Sequence, residues 1–202
     1  MRKTFARGAG FTLVELLIVI GLLGAIALIV IAAINPIEQA NRARDARFKA
    51  DGGQLISAIE RYYASHSQFP WETCGGGVCP TSTDPFGFIT ASDATVGLCG
   101  DATCSTGGLL VTNDELKTEF MSRDWVKAIA VDKQIIIGKD QGTSSSVYAC
   151  FIPLSKATKD KAITDIVVRT NSFTGAGIPS AGSCATSSEN WITGGCYVCI
   201  PE

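Results

Sequence analysis

Gly10-Phe11-Thr12-Leu13-Val14-Glu15-Leu16-Leu17-Ile18-Val19-Ile20 opens an apolar run that continues to Ile34, broken only by Thr12, Glu15, Gly21 and Gly24. As a helix rising about 1.5 Å per residue it reaches roughly 36 Å, enough to cross a hydrocarbon core of about 30 Å. A short basic leader with Arg2, Lys3 and Arg7 ends in Gly10, at the threshold of the run. Glu15 then places a carboxylate inside lipid, where an ionisable group costs several kcal/mol and marks function by default.

The rest of the 202-residue chain bounds the reading. The net charge is −2, but the leader holds three of the 17 basic residues and no acid, so the chain after Gly10 carries 14 basic against 19 acidic residues, a charge of −5. Nothing in that balance is a nucleic-acid footprint. All eight cysteines lie between Cys74 and Cys199. An even count confined to the region past an apolar span reads as disulfides in an oxidising compartment. The basic leader stays cytoplasmic by the positive-inside tendency, which sends the cysteines outside. Secretory signal-peptide cleavage at Ala32-Ala33 is the rival reading, and an uncleaved signal anchor another. The run is longer than a usual signal h-region and contains Glu15.

Residues 10–20 resemble the class III signal of bacterial type IV pilins and type II secretion pseudopilins. The resemblance extends over about residues 8–70, including the Tyr62-Tyr63 and Phe69-Pro70 ending. It implies cleavage by a prepilin peptidase between Gly10 and Phe11, N-methylation of Phe11, and Glu15 as an assembly contact. It also implies an α+β fold: a long N-terminal helix, transmembrane and then amphipathic, packed on a small disulfide-stapled antiparallel sheet. The implied organisation is a leader at 1–10, a transmembrane and filament-core helix at 11–34, a spine helix at 35–68 and an extracytoplasmic globular domain at 69–202. The implied partners are the peptidase, identical or related pilin subunits, an inner-membrane assembly platform and membrane lipid. The implied role is a non-enzymatic filament subunit of a pilus or secretion pseudopilus, inserted in the bacterial inner membrane before assembly. A membrane-anchored binding domain that never polymerises is the alternative. Removal of the leader creates an ammonium one helical turn from Glu15, and in low dielectric an unpaired carboxylate favours neighbours that supply such a partner.

Beyond the span, Asn35-Pro36 predicts a kink or a helix restart with Asn35 as N-cap. Phe48, Gly52, Leu55, Ile59 and Tyr62 form one helical stripe flanked by Ile56 and Tyr63, with Gly52 signalling close approach of another element. Glu38/Arg42 and Asp45/Lys49 have the spacing of ion pairs on a solvated face. Within the span, Gly21 and Gly24 permit either close helix approach or local loosening.

After Pro70 the composition shifts to Gly, Ser, Thr, Cys and Pro. Cys74/Cys79 and Cys99/Cys104 share one spacing and admit three connectivities. Thr112 and Glu115 stand at capping-box spacing and predict a helix to about Arg123. Val126–Val131, Gln134–Gly138, Ser146–Leu154, Ile166–Arg169 and Cys196–Ile200 read as strands, 155–165 as a helix, and 171–183 as loop. Cys196 and Cys199 have redox-motif spacing, but a strand points residues three apart to opposite faces. We therefore expect different partners for them: Cys184–Cys196 as a surface loop and Cys150–Cys199 between strands. The single histidine, His66, reads as an exposed turn residue at the helix end. No catalytic constellation, cofactor motif or metal-ligand spacing appears. Calcium is left open and unsupported, since Asp84, Asp93, Asp101 and Asp165 are scattered.

Overall fold

The computed structural model describes residues 10–33, 35–73, 79–164, 168–170, 191–192 and 195–201. The chain divides into two compact units, Met1–Gln39 and Ala40–Glu202. In the first, helix α1 (Leu13–Ala33) carries the apolar run, and its 13–31 stretch is long and apolar enough to cross a membrane. Helix α2 (Pro36–His66) restarts where the proline requires. The Asn35 side chain accepts the Glu38 amide at 3.2 Å, and its carbonyl accepts the Gln39 amide, so Asn35 is the N-cap and Pro36 occupies the first helical position.

In the second unit the five strands found among the described residues form one antiparallel sheet. They are β1 (Phe86–Thr90), β2 (Ile136–Lys139), β3 (Val147–Phe151), β4 (Val168–Thr170) and β5 (Cys196–Ile200), in the order β1-β2-β3-β5-β4. The C-terminal strand is therefore interior, inserted between β3 and β4. Alternation along β3 and β5 puts Ala149, Phe151, Val198 and Ile200 on one face, in registered pairs Ala149↔Ile200 and Phe151↔Val198. That face receives α2. Phe48 meets Phe151 edge to face at 5.7 Å, and a Cβ on Gly52 would come within 2.8 Å of Ile200 Cδ1 and 3.1 Å of Ala149 Cβ. The predicted stripe Phe48, Gly52, Leu55, Ile59 and Tyr62 is buried along its whole length. Past the helix, Tyr63, Phe69, Trp71 and Phe86 stack in sequence at 4.4, 4.6 and 4.0 Å, joining α2 to β1 through a 3-10 turn at Pro70–Glu72.

Several sequence expectations are corrected. Helix α3 is Leu109–Thr112, ending where Thr112 was expected to begin a helix. The Thr112 hydroxyl donates backwards to the Gly108 and Leu109 carbonyls, and Glu115 takes the Arg61 Nε–H at 2.9 Å. Val126–Val131 is not a strand. Val126 is buried, but Ile129 is 94 % exposed and Val131–Lys133 is a 3-10 turn. Asp45 is not on a solvated face: it is 1 % exposed and accepts the Leu154 and Ser155 amides at 3.1 and 2.9 Å. It thereby anchors the start of helix α4 (Lys156–Thr164), whose N-cap Ser155 accepts the Thr158 amide. The loop expected at 171–183 lies outside the described residues.

Candidate functional site

The N-terminal site is built by a cap. The Thr12 hydroxyl accepts the Glu15 amide at 3.2 Å and the Thr12 carbonyl accepts the Leu16 amide at 3.2 Å, so α1 starts at Leu13. Gly10 and Phe11 therefore lie outside the helix, exposed, with Phe11 at 80 %. Nothing stands within 4 Å of a Cβ built on Gly10. Glu15 projects from the first turn, where a carboxylate complements the positive end of the helix dipole. The rest of α1 is apolar around its whole circumference, with Leu13 at 77 %, Leu22 at 62 % and Leu28 at 71 % exposure. A helix apolar on every side is solvated by lipid or by other helices. Gly21 and Gly24 also have open space around them, so small-residue positions on α1 are accessible to a second helix.

The cysteines staple the second unit. Cys99–Cys104 closes a short loop and Cys150–Cys199 ties the registered pair at the centre of β3 and β5. Cys79 and Cys196 are also disulfide-bonded. Cys184, expected as the partner of Cys196, and Cys74, one of the partners left open for Cys79, lie outside the described residues. Cys196 and Cys199 are thus not a dithiol pair, and no free thiol occurs among the described residues. Inside the Cys99–Cys104 loop, Asp101 accepts the Thr103, Ser105 and Thr106 amides and hydroxyls at 2.5–3.2 Å. Those donors hold its carboxyl far below the usual carboxylate range. Asp84 and Asp93 are occupied in the same manner by Thr81 and Thr95. Each aspartate fastens its own turn, and no acidic or His/Cys cluster suited to a metal occurs among the described residues. Asp165 lies outside them.

Sequence reasoning missed two buried ionic sites. Lys139, on β2, is fully buried and donates to the Ser82, Asp140 and Gly142 carbonyls at 3.0, 3.0 and 2.6 Å, with its ammonium 5.5 Å from the Phe69 ring centroid. Burial pushes its pKa down. Beside the first turns of α2 in this unit, a groove of about 610 Å³ is lined by Phe48, Trp125 and Leu154 together with Arg44, Arg47 and Lys133. Its wall is set by Asp51, buried and accepting Trp125 Nε1–H at 2.9 Å, and by Arg44. The Arg44 guanidinium lies 4.3 Å from the Phe48 ring centroid, bonds the Ile152 carbonyl at 3.2 Å and donates to the Asp132 carbonyl. Partial burial lowers its pKa, against the opposing charges of Asp45 and Asp132. The sequence signal for this site was weak: partners 74 to 110 residues apart leave no spacing pattern. His66 ends α2 exposed, its ring stacked on Tyr62 at 4.1 Å.

Comparison with known proteins places these features. A fimbrial protein of Neisseria meningitidis serogroup A is 30% identical over 118 residues, 58% of this chain and 65% of that protein. The type IV major pilin protein PilE1 of Neisseria gonorrhoeae is 28% identical over 114 residues, 56% and 66% of the two chains. A fimbrial protein of N. meningitidis serogroup B is 27% identical over 118 residues, 58% and 65%. The chain thus spans just under two thirds of the length of these relatives. No family model matches, and no solved structure does. With its apolar N-terminal helix and its disulfide-stapled α+β domain, the chain is similar to fimbrial and type IV major pilin proteins.

Proposed function

We propose that the chain is a structural subunit of a type IV pilus-like filament, made as a prepilin and held in the bacterial inner membrane by α1 until it is assembled. The observation that carries this reading is the start of α1. A glycine and a phenylalanine lie free of the helix, a threonine caps it, a glutamate occupies its first turn, and the following surface is wholly apolar. A prepilin peptidase cuts Gly10-Phe11 in this reading, Phe11 is methylated, and Glu15 meets the new ammonium of a neighbouring subunit. The similarity to fimbrial and type IV major pilin proteins favours a pilus over a secretion pseudopilus. The second unit, closed by disulfides, faces the oxidising exterior. The chain is substrate of its processing enzyme and partner of its own copies and of the assembly platform, with no catalysis of its own.

Mass spectrometry of the chain recovered from membranes tests the processing step. The mature N-terminus is expected at Phe11 with one methyl group added. Gly10→Leu places a branched side chain beside the scissile bond and should leave the leader attached. Normal cutting in that variant, or cutting after Ala33, would overturn the assignment.

A further inference from the structure

A cavity of about 470 Å³ opens in the second unit, lined by residues of three short turns. They are the 3-10 turn Pro70–Glu72, a further 3-10 turn at Ala94–Val96, and helix α3. Small-ligand sites commonly measure roughly 300–1,000 Å³. Among the described residues no ionisable side chain lines it, and its cysteine, Cys99, is closed in the Cys99–Cys104 disulfide. The polar side chains of the lining are oriented by the chain itself. The Thr73 hydroxyl donates to the Pro70 carbonyl at 2.9 Å and the Thr95 hydroxyl to Asp93 Oδ1 at 2.6 Å. The Thr112 hydroxyl donates to the Gly108 and Leu109 carbonyls at 3.1 and 3.3 Å. Each hydroxyl hydrogen is engaged internally, so these three exposed threonines present oxygen lone pairs to whatever enters.

Pro70 and Leu109 supply apolar lining, and Trp71 adds a buried indole. The Trp71 ring stacks on Phe69 and on Phe86, and its Nε1–H has no hydrogen-bond partner among the described residues. An unpaired buried donor is rare and costly, and an acceptor brought into the cavity would answer it. The frame is held without a ligand. The Thr95 amide donates to Asp93 Oδ1 at 2.9 Å, the Gly100 amide to the Thr106 carbonyl at 2.8 Å and the Leu110 amide to the Gly97 carbonyl at 2.8 Å. A site already in place loses little freedom on binding a small molecule. The complement of this lining is a neutral ligand with several hydroxyl donors and an apolar face. An anion would meet three oxygen lone pairs and no cation, and an extended peptide offers one backbone donor per residue. A pyranose ring carries hydroxyls around its edge and C–H bonds across its faces.

We propose that this cavity binds a neutral pyranose. Its hydroxyls donate to the Thr73, Thr95 and Thr112 oxygens, its C–H face rests on Pro70 and Leu109, and a further oxygen turns toward Trp71 Nε1–H. The proposal concerns the second unit alone and does not rest on the filament reading. The test uses the full chain in phosphocholine micelles, which carry no sugar headgroup. Isotope-labelled tryptophan lets NMR read the Trp71 indole N–H beside those of Trp125 and Trp191. The probes are glucose, galactose, mannose and N-acetylglucosamine, each free and as its methyl glycoside. At least one should move the Trp71 signal saturably and leave Trp125 and Trp191 in place. Preference for the glycoside marks a glycan end as the source, and equal binding marks a free sugar. Thr95→Val/Thr112→Val keeps the side-chain shape, removes two acceptors and should weaken binding about ten-fold or more. Ala94→Phe fills the cavity from an exposed position and should abolish binding. Glucuronate should bind more weakly than glucose. No shift with any probe, or a shift undiminished in either variant, overturns the proposal. A larger shift with the uncharged dipeptide N-acetyl-alanyl-alaninamide assigns the cavity to a peptide main chain and also overturns it.

Discussion

At Gly52 and Gly53, two adjacent glycines have opposite reasons to exist. Gly52 is where α2 meets the sheet, with Ala149 Cβ 3.1 Å from a hypothetical Cβ and unable to swing away. Gly52→Val is therefore expected to destabilise the fold by about 1–3 kcal/mol, the usual cost of overpacking. Gly53 has nothing within 4 Å, so Gly53→Ala should stabilise by up to about 1 kcal/mol through helix propensity. Thermal melts of the two variants, monitored by near-ultraviolet circular dichroism, are expected to move in opposite directions. Asp101 is a second residue whose environment decides its behaviour. Its carboxylate is held by the Thr103, Thr106 and Ser105 donors, so its folded pKa is depressed. A depressed carboxyl adds stability that is present above its unfolded value of about 3.9 and is lost only as pH falls through the folded value. The Cys99–Cys104 loop should then keep its geometry through the pH range in which ordinary aspartates protonate. In an NMR titration, the Asp101 carboxyl carbon should show no inflection there, and an inflection near the ordinary value would contradict the network.

At the scale of elements, β5 is the piece that completes the domain. It enters between β3 and β4, pairs with both, and is locked to β3 by Cys150–Cys199 across 49 residues of sequence. Replacing both cysteines with alanine frees the unfolded chain at this point and should cost about 2–5 kcal/mol. Chemical denaturation is expected to show a lower midpoint and a steeper slope, because the freed unfolded chain exposes more surface. A loss well below 1 kcal/mol would mean that strand pairing alone holds β5. This strand was legible in the sequence, as was α2, because a period of 3.6 and a short apolar run between Gly194-Gly195 and Pro201 are local signals. The stripe on α2 even marked Gly52 as a contact. The Val126–Val131 segment misled because alternation cannot tell a buried strand from a loop whose apolar tips face outward; Val126 and Ile129 look alike until burial separates them. Asp45 misled for a different reason. Its i,i+4 lysine is visible in the sequence, whereas the Leu154 and Ser155 amides that hold it are 109 and 110 residues away. Strand β1 was missed because Phe86–Thr90 is short, contains Gly87 and pairs through a bulge. The Thr12 cap has a local signal too, a hydroxyl three residues before Glu15, but it stands inside an apolar run whose helical start the hydropathy alone does not mark.

At the scale of the whole molecule, the sequence separates two kinds of work. The disulfides, the sheet and the groove all fall within residues 40–202, and the capped apolar helix falls within residues 1–39. In the filament reading proposed above, folding of the one and assembly of the other can be broken independently, and Glu15 is the residue whose substitution tests it. Among the described residues α1 carries no other ionisable group, so in the membrane setting proposed above the Glu15 carboxylate has a differential interaction only with a partner that brings positive charge. Glu15→Lys reverses that charge without touching Gly10, Phe11 or the Thr12 hydroxyl. The variant chain should be cut and methylated at Phe11, fold its domain and form Cys99–Cys104 and Cys150–Cys199, because each of those steps uses other residues. It should not enter filaments, since its ammonium would face the ammonium of a neighbouring N-terminus across low dielectric. Shearing cells and comparing the released fraction with the membrane fraction separates these outcomes: mature, disulfide-bonded chain retained entirely in the membrane is the expected result. Equal release of the variant and the unaltered chain would show that Glu15 is not the assembly contact, and retention of the leader would show that it acts earlier, at processing.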